Sequence, residues 1–296
     1  MSSSRPSARP GRRHPAHVYR RRRAGCGLVA LVVIILVGAV IAGGVRGCAA
    51  KHAEEAADVP EPTTPPLSSA GFTPGMIISN ADFTNTATMN EAQIQEFLDT
   101  WGTGCRPGSQ ACLKDYRTDS APMPATASCP RQREGGRSLA ASTIIWRTAQ
   151  ACGINPEVIL VTLQKEQGLI TASSSRLTGD AYAWAMGYGC PDGTNCDQQF
   201  AGFDTQVYQA AAQWKRYMNE PFSFSILAGV TNTITHAPDP ACGSQQVYVE
   251  NRATAALYNY TPYVPTDAAI KGDFTGCNAY GAGNLRFYQY YRAWFG

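Results

Sequence analysis

Histidine is scarce, four in 296 residues, and no two cysteines stand at CxxC spacing. A structural zinc site draws four ligands from closely spaced Cys and His, so no metal is expected. A glycine-rich phosphate cradle is also missing. The "GAGN" that starts at Gly281 is short and follows no strand, which argues against a nucleotide, and no cofactor of any kind is expected. Acidic residues are absent from the first 51 positions, which hold ten Lys and Arg. The remaining fifteen basic and twenty-two acidic residues leave positions 52–296 at a formal charge of −7. A globule of that sign has no electrostatic footprint for nucleic acid, and none is expected as a partner. Period-two alternation, the mark of half-buried strands, is scarce as well.

What is present first is an uncharged run, "CGLVALVVIILVGAVIAGGV", over 26–45. As a helix it is long enough to cross a hydrocarbon core of about 30 Å. The Arg-rich flank before it places the N-terminus in the cytoplasm. The sequence therefore predicts a basic cytoplasmic tail (1–25), a transmembrane signal anchor (26–45) and a Pro/Ala-rich linker (46–70). This gives a single-pass protein of a bacterial plasma membrane, with its C-terminal part outside. The rival is a cleaved secretory signal, although such signals have shorter apolar regions and "GCAAKHA" is a weak cleavage site.

Cys26 and Cys48 border the membrane run, and eight cysteines remain in the exported part. An even set in an oxidising compartment reads as disulfides. Eight cysteines admit 105 connectivities. Sequential pairing is preferred, because Cys105/Cys112 and Cys190/Cys196 close short loops; Cys129/Cys152 and Cys242/Cys277 follow by elimination.

Helical periodicity dominates the rest. "TMNEAQIQEFLDTWG" has one apolar face, with Thr88 and Glu91 in a capping-box pattern and Gly102 as a stop. Residues 103–137, rich in Pro, Gly, Ser and Cys, read as a disulfide-pinned loop region. Together 71–137 form a lead-in packed on a main domain at 138–296. That domain starts with "SLAASTIIWRTAQACG", a helix ending at Gly153. Asn155 then caps a second helix with Pro156 in its first position, running to a stop at Gly168. Further helices are expected over 204–218, 247–259 and 284–295. The fold class is mainly α, with long cystine-braced loops.

The second helix, "PEVILVTLQKEQG", is apolar nearly all round, so it is expected at the centre of the core. Glu166 follows Leu163 by one turn and sits at the helix's C-terminal end. Partial desolvation and the negative end of the helix dipole both favour its protonated form, as a general acid at neutral pH requires. A solvated charge at a fraying helix end is the plain alternative.

Three segments, "GINPEVILVTLQKEQGLI", "AWAMGYG" (183–189) and "ATAALYNYTPYV" (253–264), match in order and spacing those of a known superfamily. Over roughly 138–295 the chain resembles the lysozyme-like superfamily, particularly soluble lytic transglycosylases and goose-type lysozymes. Gln167 stands where that family has Ser, and the Gly-rich segment lacks the family's Leu-Met-Gln. The resemblance implies a lysozyme-like helical fold and cleavage of peptidoglycan glycan strands, with Glu166 as the catalytic acid. Tyr258 would contact or position Glu166, and Asn259 would help to bind sugar. Glucosaminidases share a Glu at this helix end, so a hydrolase on the same scaffold is an alternative, as is a wall-binding module without catalysis. In the same setting Tyr182 and Tyr188 offer platforms for sugar rings, and Gly187 permits close backbone approach. A second carboxylate is usual in glycoside cleavage, but spacing singles out none of Asp180, Asp192, Asp197 and Asp204. His236, alone in its loop, reads as ordinary loop structure.

Overall fold

The structure, a computed structural model, describes residues 62–280 and 282–296. The basic tail, the membrane run and the linker as far as residue 61 lie outside the described residues. Among the described residues no helix is long and apolar enough to cross a membrane.

In chain order the elements are α1 (Asn80–Thr84), α2 (Glu91–Trp101), β1 (Arg117–Ser120), β2 (Gly136–Ala140), α3 (Ala141–Cys152) and α4 (Pro156–Gln167). There follow α5 (Gly179–Ala183), α6 (Phe203–Asn219), β3 (Val230–Thr235), β4 (Ser244–Val249), α7 (Arg252–Tyr260), α8 (Asp267–Ile270) and α9 (Ala282–Phe295). The fold is mainly helical, with two separate antiparallel pairs, β1–β2 and β3–β4.

The α3–α4 corner forms as the sequence predicts. Gly153 closes α3 with a φ of 66°, a left-handed conformation that costs glycine little. Asn155 caps α4 by accepting the Glu157 N–H at 2.8 Å, and Pro156 occupies a position whose N–H would have no helical partner. The same Asn155 donates to Asp82 O at 2.7 Å and accepts the Thr88 hydroxyl at 2.6 Å, so the cap also fastens the lead-in to the main domain. Val158, Ile159, Leu160, Val161 and Leu163 are fully buried, as the all-round apolar pattern requires. Helix α9 packs along α4, and α6 packs against both α3 and α7.

All four expected disulfides are present: Cys105–Cys112, Cys129–Cys152, Cys190–Cys196 and Cys242–Cys277. Three local expectations are corrected. The capping box of α2 is Asn90 with Gln93, each side chain accepting the other's backbone N–H at 3.0 and 2.9 Å, because Thr88 is engaged by Asn155. Residues 138–140 belong to β2, so α3 begins at Ala141. The helix predicted from 247 begins at Arg252, because Ser244–Val249 pair with β3 and bury Val247 and Val249 on one face.

Candidate functional site

Glu166, in the last turn of α4, lines a cleft of about 380 Å³, which Gly187, Asp192, Tyr260, Tyr263 and Arg286 also line. Its Oε1 is ion-paired to the Lys165 ammonium, which also donates to Thr261 Oγ1 at 3.1 Å. The Lys165 side chain is only 3% exposed and that of Glu166 24%, so the cation is sealed in while the carboxylate meets the cleft. Among the described residues, Lys165 is the one hydrogen-bond partner of this carboxylate.

The other oxygen, Oε2, lies against Gly187. A Cβ built on Gly187 would stand 3.0 Å from it, and the glycine's φ of 70° is itself left-handed. Two groups hold this loop. Gln206 of α6, fully buried, accepts the N–H groups of Met186 and Tyr188 at 3.2 and 3.0 Å and donates to the carbonyls of Tyr188 and Phe200 at 2.8 Å. From α7 the Tyr260 hydroxyl donates to Met186 O at 2.7 Å. Burial first, and the Glu166 charge second, push the Tyr260 hydroxyl well above the usual tyrosine range. Gln167 also donates to Trp184 O at 3.2 Å, so α4 grips the approach to the loop directly.

Not every residue singled out in the sequence reaches this cleft. Gly187 does, and Tyr188 lines an adjoining hollow of about 390 Å³ that shares Gly187, Cys190 and Tyr260 with it. Tyr258 points away from Glu166: its ring is fully buried and its hydroxyl donates to Pro74 O at 3.0 Å. Two residues turn a helix by about 200°, so Tyr258 and Tyr260 occupy opposite sides of α7, and it is Tyr260 that faces the acid. Asn259 exchanges hydrogen bonds with the backbone of Ile226, at 3.0 and 2.8 Å, which engages its amide within the protein. Tyr182 is buried, stacked on Tyr116 at 4.0 Å, with its hydroxyl on Ala111 O at 2.7 Å.

Of the four aspartates, the cleft contains Asp192, which accepts the Tyr263 hydroxyl. Burial, then the hydrogen bond and charge of Asp192, push that hydroxyl above its ordinary range. Asp204 is tied up in a buried ion pair with Arg133, and Asp197 caps a short turn through Gln199 N. Asp180 lies in the exposed first turn of α5. Gln206 and Lys165 were not singled out as site residues from the sequence, whereas Tyr260 and Tyr263 read there equally as sugar platforms or as packing. A polar Gln on an otherwise apolar helix face was the available signal for the first.

Two larger hollows, of about 620 and 630 Å³, lie beside Lys114 and Tyr116 and beside Asp119 and Arg137. Neither includes Glu166, so chemistry rather than volume selects the site. Comparison of the chain with family models, with curated proteins and with solved structures finds no match.

Proposed function

We propose that this protein cleaves the glycan strands of peptidoglycan outside a bacterial plasma membrane, as an anchored enzyme of lysozyme-like type. The observation that carries the proposal is the position of Glu166, a half-buried carboxylate at the end of a core helix, open to a cleft on one side only. Lys165 holds Oε1, which leaves Oε2 to carry the proton towards the glycosidic oxygen as the bond breaks through an oxocarbenium-like state. Gly187 provides the bare backbone that lets a sugar approach this oxygen. The sequence resemblance at the three segments points to the same substrate class.

Asp192 favours a hydrolytic variant of the reading. A second carboxylate in the same cleft can accept a proton from water, a role that single-acid transglycosylation does not need.

Purified full-length protein and its Glu166→Gln variant, incubated with peptidoglycan, provide the test, with soluble products read by mass. Release of muropeptides by the wild type alone is expected, and anhydro or reducing ends then assign transglycosylation or hydrolysis. Equal release by Glu166→Gln sinks the proposal. Binding of the wall without release by the wild type replaces it with a non-catalytic wall-binding module.

A further inference from the structure

Within the proposed glycan cleft, one strong cation has no counter-ion among the described residues. Arg286 projects from the first turns of α9 into the same cavity as Glu166. Among the described residues no carboxylate lies within ion-pair distance of it. The two acids of the cleft have other partners, Glu166 with Lys165 and Asp192 with the Tyr263 hydroxyl. This occurs in a part of the chain whose formal charge is −7, where carboxylates outnumber cations.

The guanidinium is nevertheless held in place. It lies over the ring of Phe274 at 4.2 Å, and Nη1 donates to Gln289 Oε1 at 3.1 Å. Gln289 is buried and donates in turn to Ser69 Oγ at 2.9 Å. Behind it, Asn284 donates to the carbonyls of Thr261 and Tyr263 at 2.8 and 3.1 Å, fixing the start of α9 to the cleft wall. An arginine carries five N–H donors in a planar fork that matches two carboxylate oxygens, and here one acceptor among the described residues is engaged. A solvated arginine would need neither the stacked ring nor the held amide.

We infer that Arg286 is a specificity-determining residue of this cleft, binding a carboxylate carried by the glycan substrate. The inference rests on the proposed glycan reading and names what the glycan must bear. Two carboxylates have this chemistry: the free lactyl carboxylate of a stripped strand, and the free carboxylates of a peptide stem attached to it.

The test measures binding in the full-length Glu166→Gln protein, so that turnover does not intervene. Three soluble probes of equal length are titrated: neutral N-acetylglucosamine oligomers, stripped strands with free lactyl carboxylates, and strands with intact stems. The parent should bind one of the two acidic probes roughly tenfold or more tightly than the neutral one, and the preferred probe identifies the source of the carboxylate. Adding Arg286→Gln should remove that preference, and an unchanged circular-dichroism spectrum and melting temperature show that the variant is folded. Arg286→Lys, which keeps the charge but loses the fork, should retain only part of it. Equal affinity for acidic and neutral probes in the parent, or an undiminished preference in Arg286→Gln, overturns the inference while leaving Glu166-dependent cleavage intact. A carboxylate preference in a protein that releases no muropeptides removes the catalytic reading and upholds the role of Arg286.

Discussion

Two cation–carboxylate pairs sit about equally deep at their cationic ends, yet they are built for different ends. In the first, Arg133 has a side-chain exposure of 0% against 11% for Asp204. The Arg133 guanidinium also donates to Thr148 Oγ1 at 3.2 Å and Ala121 O at 2.9 Å, and lies 4.9 Å over the Tyr208 ring. Asp204 occupies the first turn of α6, where the helix dipole favours a negative charge. In the second pair the cation, Lys165, is equally sealed, but Glu166, in the last turn of its helix, has one oxygen against a bare glycine backbone and an open cleft. The comparison teaches that burial of the cation alone does not decide whether its carboxylate is sealed into the core or opens onto a cleft. What distinguishes the two pairs is how many other groups hold the cation, Thr148, Ala121 and Tyr208 around Arg133 against Thr261 beside Lys165, and whether the carboxylate opens onto a cleft.

The sharpest way to break the comparison is to remove the cation from each. Arg133→Met leaves a buried Asp204 without a counter-charge and should cost about 3–5 kcal/mol of folding stability, read from urea unfolding. Adding Asp204→Leu to it should recover most of that loss, because the uncompensated charge goes as well. Lys165→Met should cost clearly less, about 1–2 kcal/mol, since Glu166 can turn to water in the cleft. Equal losses at the two sites would mean that the Glu166 pair is structural too.

A smaller effect is expected where the carboxylate meets the loop. Gly187→Ala places a methyl group 3.0 Å from Oε2 and demands a left-handed conformation of alanine, a backbone cost of about 1–2 kcal/mol. Because Glu166 must move to make room, the peptidoglycan turnover proposed above should fall about tenfold or more, while the melting temperature drops only modestly. A variant that keeps full turnover would show that the contact between Gly187 and Glu166 has no part in the chemistry.

The two sites also differ in how far they could be read in advance. Helix α4, its Asn155–Pro156 start, its Gly168 stop and the position of Glu166 were legible because caps and apolar patterning act over a few neighbouring residues. The disulfide pairing was legible where loop lengths were short. What was not legible depends on contacts made across the fold. Whether Tyr258 or Tyr260 faces the acid depends on the rotation of α7 about its axis, which its neighbours set. Asp192 and Arg286 come together only through the path of the chain between α5 and α9. Strand β4 was concealed because its buried positions, Val247 and Val249, lie just before a helix and could be taken as its first turn.

The smallest expected effect concerns the tyrosines that the fold keeps on the structural side of the comparison. Burial pushes the hydroxyls of Tyr182 and Tyr258 above the ordinary tyrosine range. The folded chain therefore keeps protons that the unfolded chain releases above about pH 10. The unfolded state then binds fewer protons than the native one, so stability is fully present below that pH and falls as pH rises beyond it. Tyr258→Phe removes the hydroxyl from Pro74 O and should cost about 1 kcal/mol at neutral pH. It also removes a group that weakens the wild type in alkali, so the gap between the two proteins should narrow above pH 10. Denaturant melts of both proteins at neutral pH and at alkaline pH measure the gap, and one that widens with pH would show that Tyr258 is not held neutral by its surroundings.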